Sequence, residues 1–205
     1  MRRLAVFASG SGTNFEAIVS ACEQGVTGGE VVLMVCDKPG ARVVERAAAH
    51  GVETFVFAPK EYASKADYER EIVRLLDAAG VELVCLAGYM RIVGDVLLEA
   101  YGGRIVNIHP SLLPAFRGAH AIEQAMEYGV KVFGVTIHYV DASLDGGRII
   151  AQPAMRRSGD AAAVNAGFGR GAVSADVADS RGKFGRRDSA DVGNCRREAG
   201  CGNDL

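Results

Sequence analysis

Short apolar runs alternate along this chain with stretches in which apolar residues return every third or fourth position. Leu4-Ala5-Val6-Phe7-Ala8 is continuous, as expected of a strand buried on both faces. Beyond Ser9-Gly10-Ser11-Gly12-Thr13-Asn14, the residues Phe15, Ile18, Val19 and Cys22 fall at helical spacing. A second unit runs from Val31 to Cys36, turns at Asp37-Lys38-Pro39-Gly40, and continues as a helix that Gly51 can end. Residues 54–58 predict a third strand. Ser64 with Asp67 three positions on resembles a capping box ahead of the stripe Tyr68, Ile72, Leu75 and Leu76. Leu83-Val84-Cys85-Leu86-Ala87 reads as a fourth buried strand that leaves at Gly88, with a helix to Tyr101 behind it. A helix over 119–128, one long strand over 132–140, a polar loop over 141–147 and a short strand over 148–152 complete the pattern.

Between the last two groups lies Arg104-Ile105-Val106-Asn107-Ile108-His109-Pro110-Ser111-Leu112-Leu113-Pro114. Ile105, Val106 and Ile108 are β-branched, which favours a strand. Pro110 offers no N–H to a ladder and keeps His109 out of helical geometry, so pairing should stop there. Residues two apart on a strand share a side, which puts Asn107 and His109 on one face. Alternating strands and helices with short connections predict an α/β fold, a doubly wound and mostly parallel sheet with helices on both faces. Ligands in such folds sit outside the carboxyl ends of the strands. The loops over 10–14, 88–93 and 107–114 all fall at that edge.

Composition narrows the function. A net charge of −2 and a pI near 6.1 give no general affinity for polyanions, so no nucleic acid is expected and any phosphate contact must be local. No apolar stretch approaches the roughly 20 residues that span a bilayer, so no membrane is expected. Cys22, Cys36 and Cys85 sit inside apolar runs without a CxxC pair, as suits a reducing cytoplasm. The pattern changes near Met155. Residues 156–205 hold no Ile, Pro, Tyr or His, and their one Leu is Leu205. Such a segment buries little apolar area against its ordering entropy and reads as a disordered tail, or a helix formed only on docking.

Three groups could carry chemistry. Gly10-Ser11-Gly12 opens like a dinucleotide fingerprint, with Asp37 where a ribose would be held, but Phe15 stands at the third glycine. A phosphate cradle of Gly12, Thr13 and Asn14 at a helix N-terminus is the stronger reading, and a tight turn with Asn14 as cap is compatible with it. Asp145 lies in a glycine loop after the longest β-run, where the glycines would let backbone approach a ligand. Beside His109 it would orient the imidazole and favour its protonated form, so that Asn107 and His109 together form an oxyanion site. A buried His satisfied at a strand end is the alternative. A metal held by His109, His120, His138 and Asp145 matches no compact ligand spacing, so none is expected. Met90-Arg91-Ile92-Val93 reads as packing with a solvated Arg, or as an apolar wall for a flat heterocycle.

Gly10-Ser11-Gly12-Thr13-Asn14, Ala87-Gly88-Tyr89-Met90-Arg91-Ile92, Asn107-Ile108-His109-Pro110-Ser111-Leu112-Leu113-Pro114 and Leu144-Asp145-Gly146-Gly147 together resemble the folate-dependent phosphoribosylglycinamide formyltransferase family. The resemblance implies a Rossmann-like formyltransferase domain over 1–155 and a catalytic trio of Asn107, His109 and Asp145. It implies 10-formyltetrahydrofolate as co-substrate, with no metal, and glycinamide ribonucleotide as acceptor in cytoplasmic purine synthesis. Gly12, Thr13 and Asn14 would hold the ribonucleotide phosphate. Met90, Arg91, Ile92, Val93 and Asn107 would meet the folate, as would Lys65, where the family often has Arg. A monomer or homodimer is implied. The methionyl-tRNA type of formyltransferase shares some motifs but needs a further RNA-binding domain. The family continues past Gln152 with a strand and a long helix, a pattern absent from 156–205. That tail reads as atypical, disordered or frame-shifted, and leaves open a catalytically impaired chain that binds nucleotide and folate.

Overall fold

The computed structural model describes residues 1–156. The elements follow in the order β1 (Arg2–Phe7), α1 (Thr13–Glu23), β2 (Gly29–Cys36), α2 (Arg42–Ala49), β3 (Glu53–Val56), α3 (Lys65–Ala78) and β4 (Leu83–Leu86). Then come α4 (Asp95–Tyr101), β5 (Ile105–His109), α5 (Ala121–Tyr128), β6 (Val132–Gly134), β7 (Thr136–Tyr139), β8 (Ile149–Ala151) and β9 (Ala154–Arg156). The seven-stranded sheet has the order β3-β2-β1-β4-β5-β7-β8. Its first five strands are parallel, and β7 and β8 add antiparallel pairs at one side. The expected fold class is the observed one.

Strand alternation divides the core into two layers. Leu4, Val6 and Ala8 of one face pack with Phe15, Ile18, Val19, Val43 and Ala47 from α1 and α2. Ala5 and Phe7 of the other face pack with Tyr68, Ile72, Leu76, Leu97 and Tyr101 from α3 and α4. Both faces are covered, which is why these strands are continuous apolar runs in sequence. Phe15 is fully buried, so the position that a dinucleotide fingerprint reserves for glycine is a core position in this chain. Cys22, Cys36 and Cys85 are free, buried thiols, and burial pushes Cys85 up to about 12.

Two expectations need correction. The run over 132–140 is not one strand. Val132–Gly134 pairs with Ala154–Arg156 in a separate two-stranded sheet, whereas Thr136–Tyr139 lies between β5 and β8. At Val135 the N–H turns to the Pro153 carbonyl (3.1 Å), and the chain passes from one sheet to the other. Ordered strand also does not end at Gln152, because β9 follows and packs half-buried Met155 against the cluster of Phe133. The reading of 156–205 as a tail lies, from 157 on, outside the described residues.

Candidate active site

The chain runs from β1 outward through β2 to β3, then returns to place β4 on the other side of β1. The carboxyl ends of β1 and β4 therefore flank a topological switch point, the crevice where such sheets bind ligands. A cleft of about 1230 Å³ opens there, larger than the roughly 300–1,000 Å³ that holds one drug-sized ligand. It is lined by Thr13 and Asn14, by residues 88–93, by Asn107 and His109, and by Asp141 to Asp145.

The glycine loop forms its first wall. Gly12 is the N-cap of α1 in left-handed geometry (φ 74°), and a Cβ there would lie 2.7 Å from Val43, so only glycine fits. Asn14 therefore sits inside the first turn and does not cap the helix, against one of the readings above. The N–H groups of this first turn have no partner within the helix, and Thr13 and Asn14 line the cleft, so an anion could be held there. Arg46 supports the loop from below, donating from Nε to the Ser11 carbonyl (2.9 Å) and from Nη1 to Glu16 (2.9 Å).

The second wall follows β4. Met90 and Ile92 stand 73% and 72% exposed in the cleft, as apolar surface with little packing of its own. Arg91 is ion-paired as well as solvated, its side chain 39% exposed. Its Nε donates to Asp37 (2.6 Å), and Asp37, 3% exposed, also accepts from the Ser9 hydroxyl (2.5 Å). Both oxygens of Asp37 are thus engaged, which removes the carboxylate that the dinucleotide reading needed for a ribose. Lys65, like Gly12, is a predicted residue that does not line the cleft. It is exposed at the start of α3, 4.0 Å from Glu69.

The floor is built by β5. Asn107 and His109 share a face of the strand, opposite His138 and Thr136 in the antiparallel partner. His138 Nδ1 lies 2.9 Å from the Tyr139 carbonyl, which can only accept, so Nδ1 carries the hydrogen. Nε2 is then free to accept from the Asn107 amide at 3.1 Å. Burial holds the His138 pKa below its ordinary value, outweighing the Tyr139 carbonyl and Asp145, and so preserves this neutral tautomer. His109, 4% exposed, donates from Nε2 to the Phe116 carbonyl (2.8 Å) and faces Asp145 Oδ2 through Nδ1 at 3.4 Å. Asp145 is held in turn by the Gly118 N–H (2.7 Å), and its backbone adopts φ 47°, a conformation unusual for a residue with a side chain.

Buried Thr136 fixes the loop between these groups: it accepts from the Leu113 N–H (3.0 Å) and donates to the Ser111 carbonyl (2.7 Å). Gln152 closes the set on the Leu113 carbonyl (2.9 Å). The glycine at 147 serves packing and not ligand approach, since a Cβ there would fall 1.9 Å from the Tyr139 carbonyl oxygen. His120 remains exposed at the N-cap of α5, and among the described residues no group of three or more His, Cys, Asp or Glu could hold a metal ion.

The structure thus brings Asn107, His109, Asp145, Thr13, Asn14 and the 90–93 wall to one cleft. Sequence reasoning missed His138 as the partner of Asn107, and Asp37 with Ser9 as the anchor of the wall. The first could be found from period-2 pairing once β5 and β7 are known to be antiparallel neighbours. The second depends on the sheet order, which no local pattern carries.

Residues 2–159 match the family described as formyl transferase. The chain is 55% identical over 155 residues to the phosphoribosylglycinamide formyltransferase of Bacillus subtilis (strain 168), covering 76% of this chain and 80% of that protein. It is 42% identical over 156 residues to the trifunctional purine biosynthetic protein adenosine-3 of Drosophila melanogaster, covering 75% of this chain and 12% of that much longer one. Among solved structures, phosphoribosylglycinamide formyltransferase from Bacillus halodurans superposes with a TM-score of 0.82 at 49% identity, covering 89% of this chain and 96% of that one. Glycinamide ribonucleotide transformylase 1 from Geobacillus kaustophilus gives 0.79 at 53% identity, covering 82% and 91%.

Proposed function

The chain belongs to the formyl transferase family, and from that premise we propose that it moves the formyl group of 10-formyltetrahydrofolate to the amine of glycinamide ribonucleotide. The reading rests chiefly on one observation: Asn107 and His109 stand side by side at a strand end, His109 faces Asp145, and a helix N-terminus opens into the same cleft. No serine or cysteine nucleophile is needed, because the substrate amine attacks the formyl carbon itself. The carbonyl oxygen becomes an oxyanion, for which the second Asn107 amide N–H and the His109 imidazole are the donors. His109 exchanges the Phe116 carbonyl for that oxyanion, and the Ser111 hydroxyl, 3.4 Å from the same carbonyl, remains beside it. Collapse breaks the bond from the formyl carbon to the folate nitrogen. The amine loses a proton, the folate nitrogen gains one, and Asp145 keeps the imidazole oriented throughout.

In this reading Gly12, Thr13 and Asn14 take the ribonucleotide phosphate, and Met90, Arg91, Ile92 and Val93 receive the pterin. Lys65 meets the folate from the start of α3. The reaction belongs to purine synthesis in the cytoplasm and requires no metal. Purified protein given both substrates should produce formylated ribonucleotide and tetrahydrofolate. His109→Ala and Asp145→Ala should each lower kcat by about 10²–10³, the size associated with loss of an oxyanion donor. Undiminished turnover in both variants would overturn the assignment.

A further inference from the structure

We propose that Asp37 is a positioning residue for the folate co-substrate, acting through Ser9 and Arg91 on the wall formed by residues 90–93. The proposal rests on the reading that this wall receives folate.

Asp37 closes β2, two strands away from the β4 exit on which the wall is built. Its Oδ1 accepts from the Ser9 hydroxyl and its Oδ2 from Arg91 Nε at 2.6 Å. Ser9 then passes the connection on, since its Oγ accepts from the Met90 N–H at 2.9 Å and its own N–H donates to the Gly88 carbonyl at 3.0 Å. One buried carboxylate thus fixes the backbone of Met90 and the side chain of Arg91, bridging over β1 from the far side. Met90 and Ile92 project into the cleft largely exposed, so these polar ties hold their end of the wall, while buried Val93 and the Gly94 N–H on Glu69 hold the other. The Arg91 side chain is 39% exposed, so the pair adds little net stability, and what it supplies is geometry. Asp37 touches neither reacting atom. Its effect must appear in co-substrate affinity.

Asp37→Asn keeps the shape but sets an amide N–H₂ against one of the two donors, and Ser9→Ala releases the Met90 N–H. Each should raise the KM for formyl folate about tenfold, as expected for one lost charge-assisted hydrogen bond, with kcat and the KM for glycinamide ribonucleotide near wild type. Calorimetry with tetrahydrofolate should show the same loss in Kd, independently of turnover. The double variant should lose no more than either single one, because both act on one network. If Asp37→Asn fails to fold, Ser9→Ala carries the test. A folate KM and tetrahydrofolate Kd unchanged in the variants of an active enzyme would overturn this proposal alone, as would kcat and both KM values drifting together with a lower Tm. Wild-type protein that binds no tetrahydrofolate would overturn the underlying folate reading and this proposal with it.

Discussion

At the scale of single residues the site depends on which atoms carry hydrogens. Asn107 can present a donor to the cleft only because His138 Nε2 is an acceptor, and that requires His138 to stay neutral. Its pKa is lowered first by burial, so the folded state resists protonation more than the unfolded chain, whose histidine titrates near 6.5. The sign follows from linkage: this contribution to stability is present above pH 6.5 and is lost as pH falls toward the depressed folded value. Urea titrations at pH 7 and pH 5 should therefore show a larger acid-induced loss in wild type than in His138→Gln, which keeps an acceptor but cannot charge. Equal losses would remove His138 from the account. Asn107 and His109, the residues proposed to carry the chemistry, were legible as a pair before any fold was known, because they stand two apart ahead of Pro110. Their supports were not, since Phe116, Gly118 and His138 are ordinary residues until the backbone folds them inward.

Among the elements, α3 shows how a helix far from the chemistry holds a wall of the cleft. Ser64 caps it by accepting from the Asp67 N–H (3.3 Å), as the spacing of the two residues predicts. Asp67 answers by accepting from the Ser64 hydroxyl (2.7 Å). From the middle of the helix Glu69, 2% exposed, accepts from the Gly94 N–H at 2.7 Å, where the 90–93 wall passes into α4. Burial raises the pKa of this carboxyl, opposed by the Gly94 and Leu97 N–H groups and by Lys65. Glu69→Ala leaves those donors buried without an acceptor and should cost about 1–3 kcal/mol for each one abandoned. Glu69→Gln retains one acceptor and removes the buried charge, so it should lose less in a denaturant titration; the reverse ranking would contradict this role. Element types followed from periodicity, and β1, β2, β4 and β5 were legible as apolar runs, whereas β3 is exposed to half-buried. The split of 132–140 was not, because Phe133 and Ile137 are equally apolar and only their different partners, β9 and β8, separate them.

For the molecule as a whole, the net charge of −2 leaves the proposed phosphate contact to local geometry. Glycinamide ribonucleotide at about 100 times its Kd should stabilise the fold by about 2.7 kcal/mol, read as a rise in Tm. Replacing both Thr13 and Asn14 with alanine should remove most of that rise while leaving the ligand-free Tm nearly unchanged. A rise that persists in full would remove the Thr13 and Asn14 side chains from the phosphate contact. The fold class was legible because strand–helix alternation reflects layering, whereas the strand order and the antiparallel addition of β7 and β8 depend on contacts between distant segments. The switch point has a further consequence in time. β1 meets β2 through neighbours such as Arg2 and Gly29, but meets β4 through pairs such as Leu4 and Leu83. A nascent chain that ends before Leu83 can complete one flank of β1 while the other waits as an open, apolar edge, the kind of surface that invites wrong partners during synthesis. The two walls of the cleft lie on opposite sides of that delay, so competence to bind both substrates together arrives late, and it reports that the long-range half of the sheet has closed.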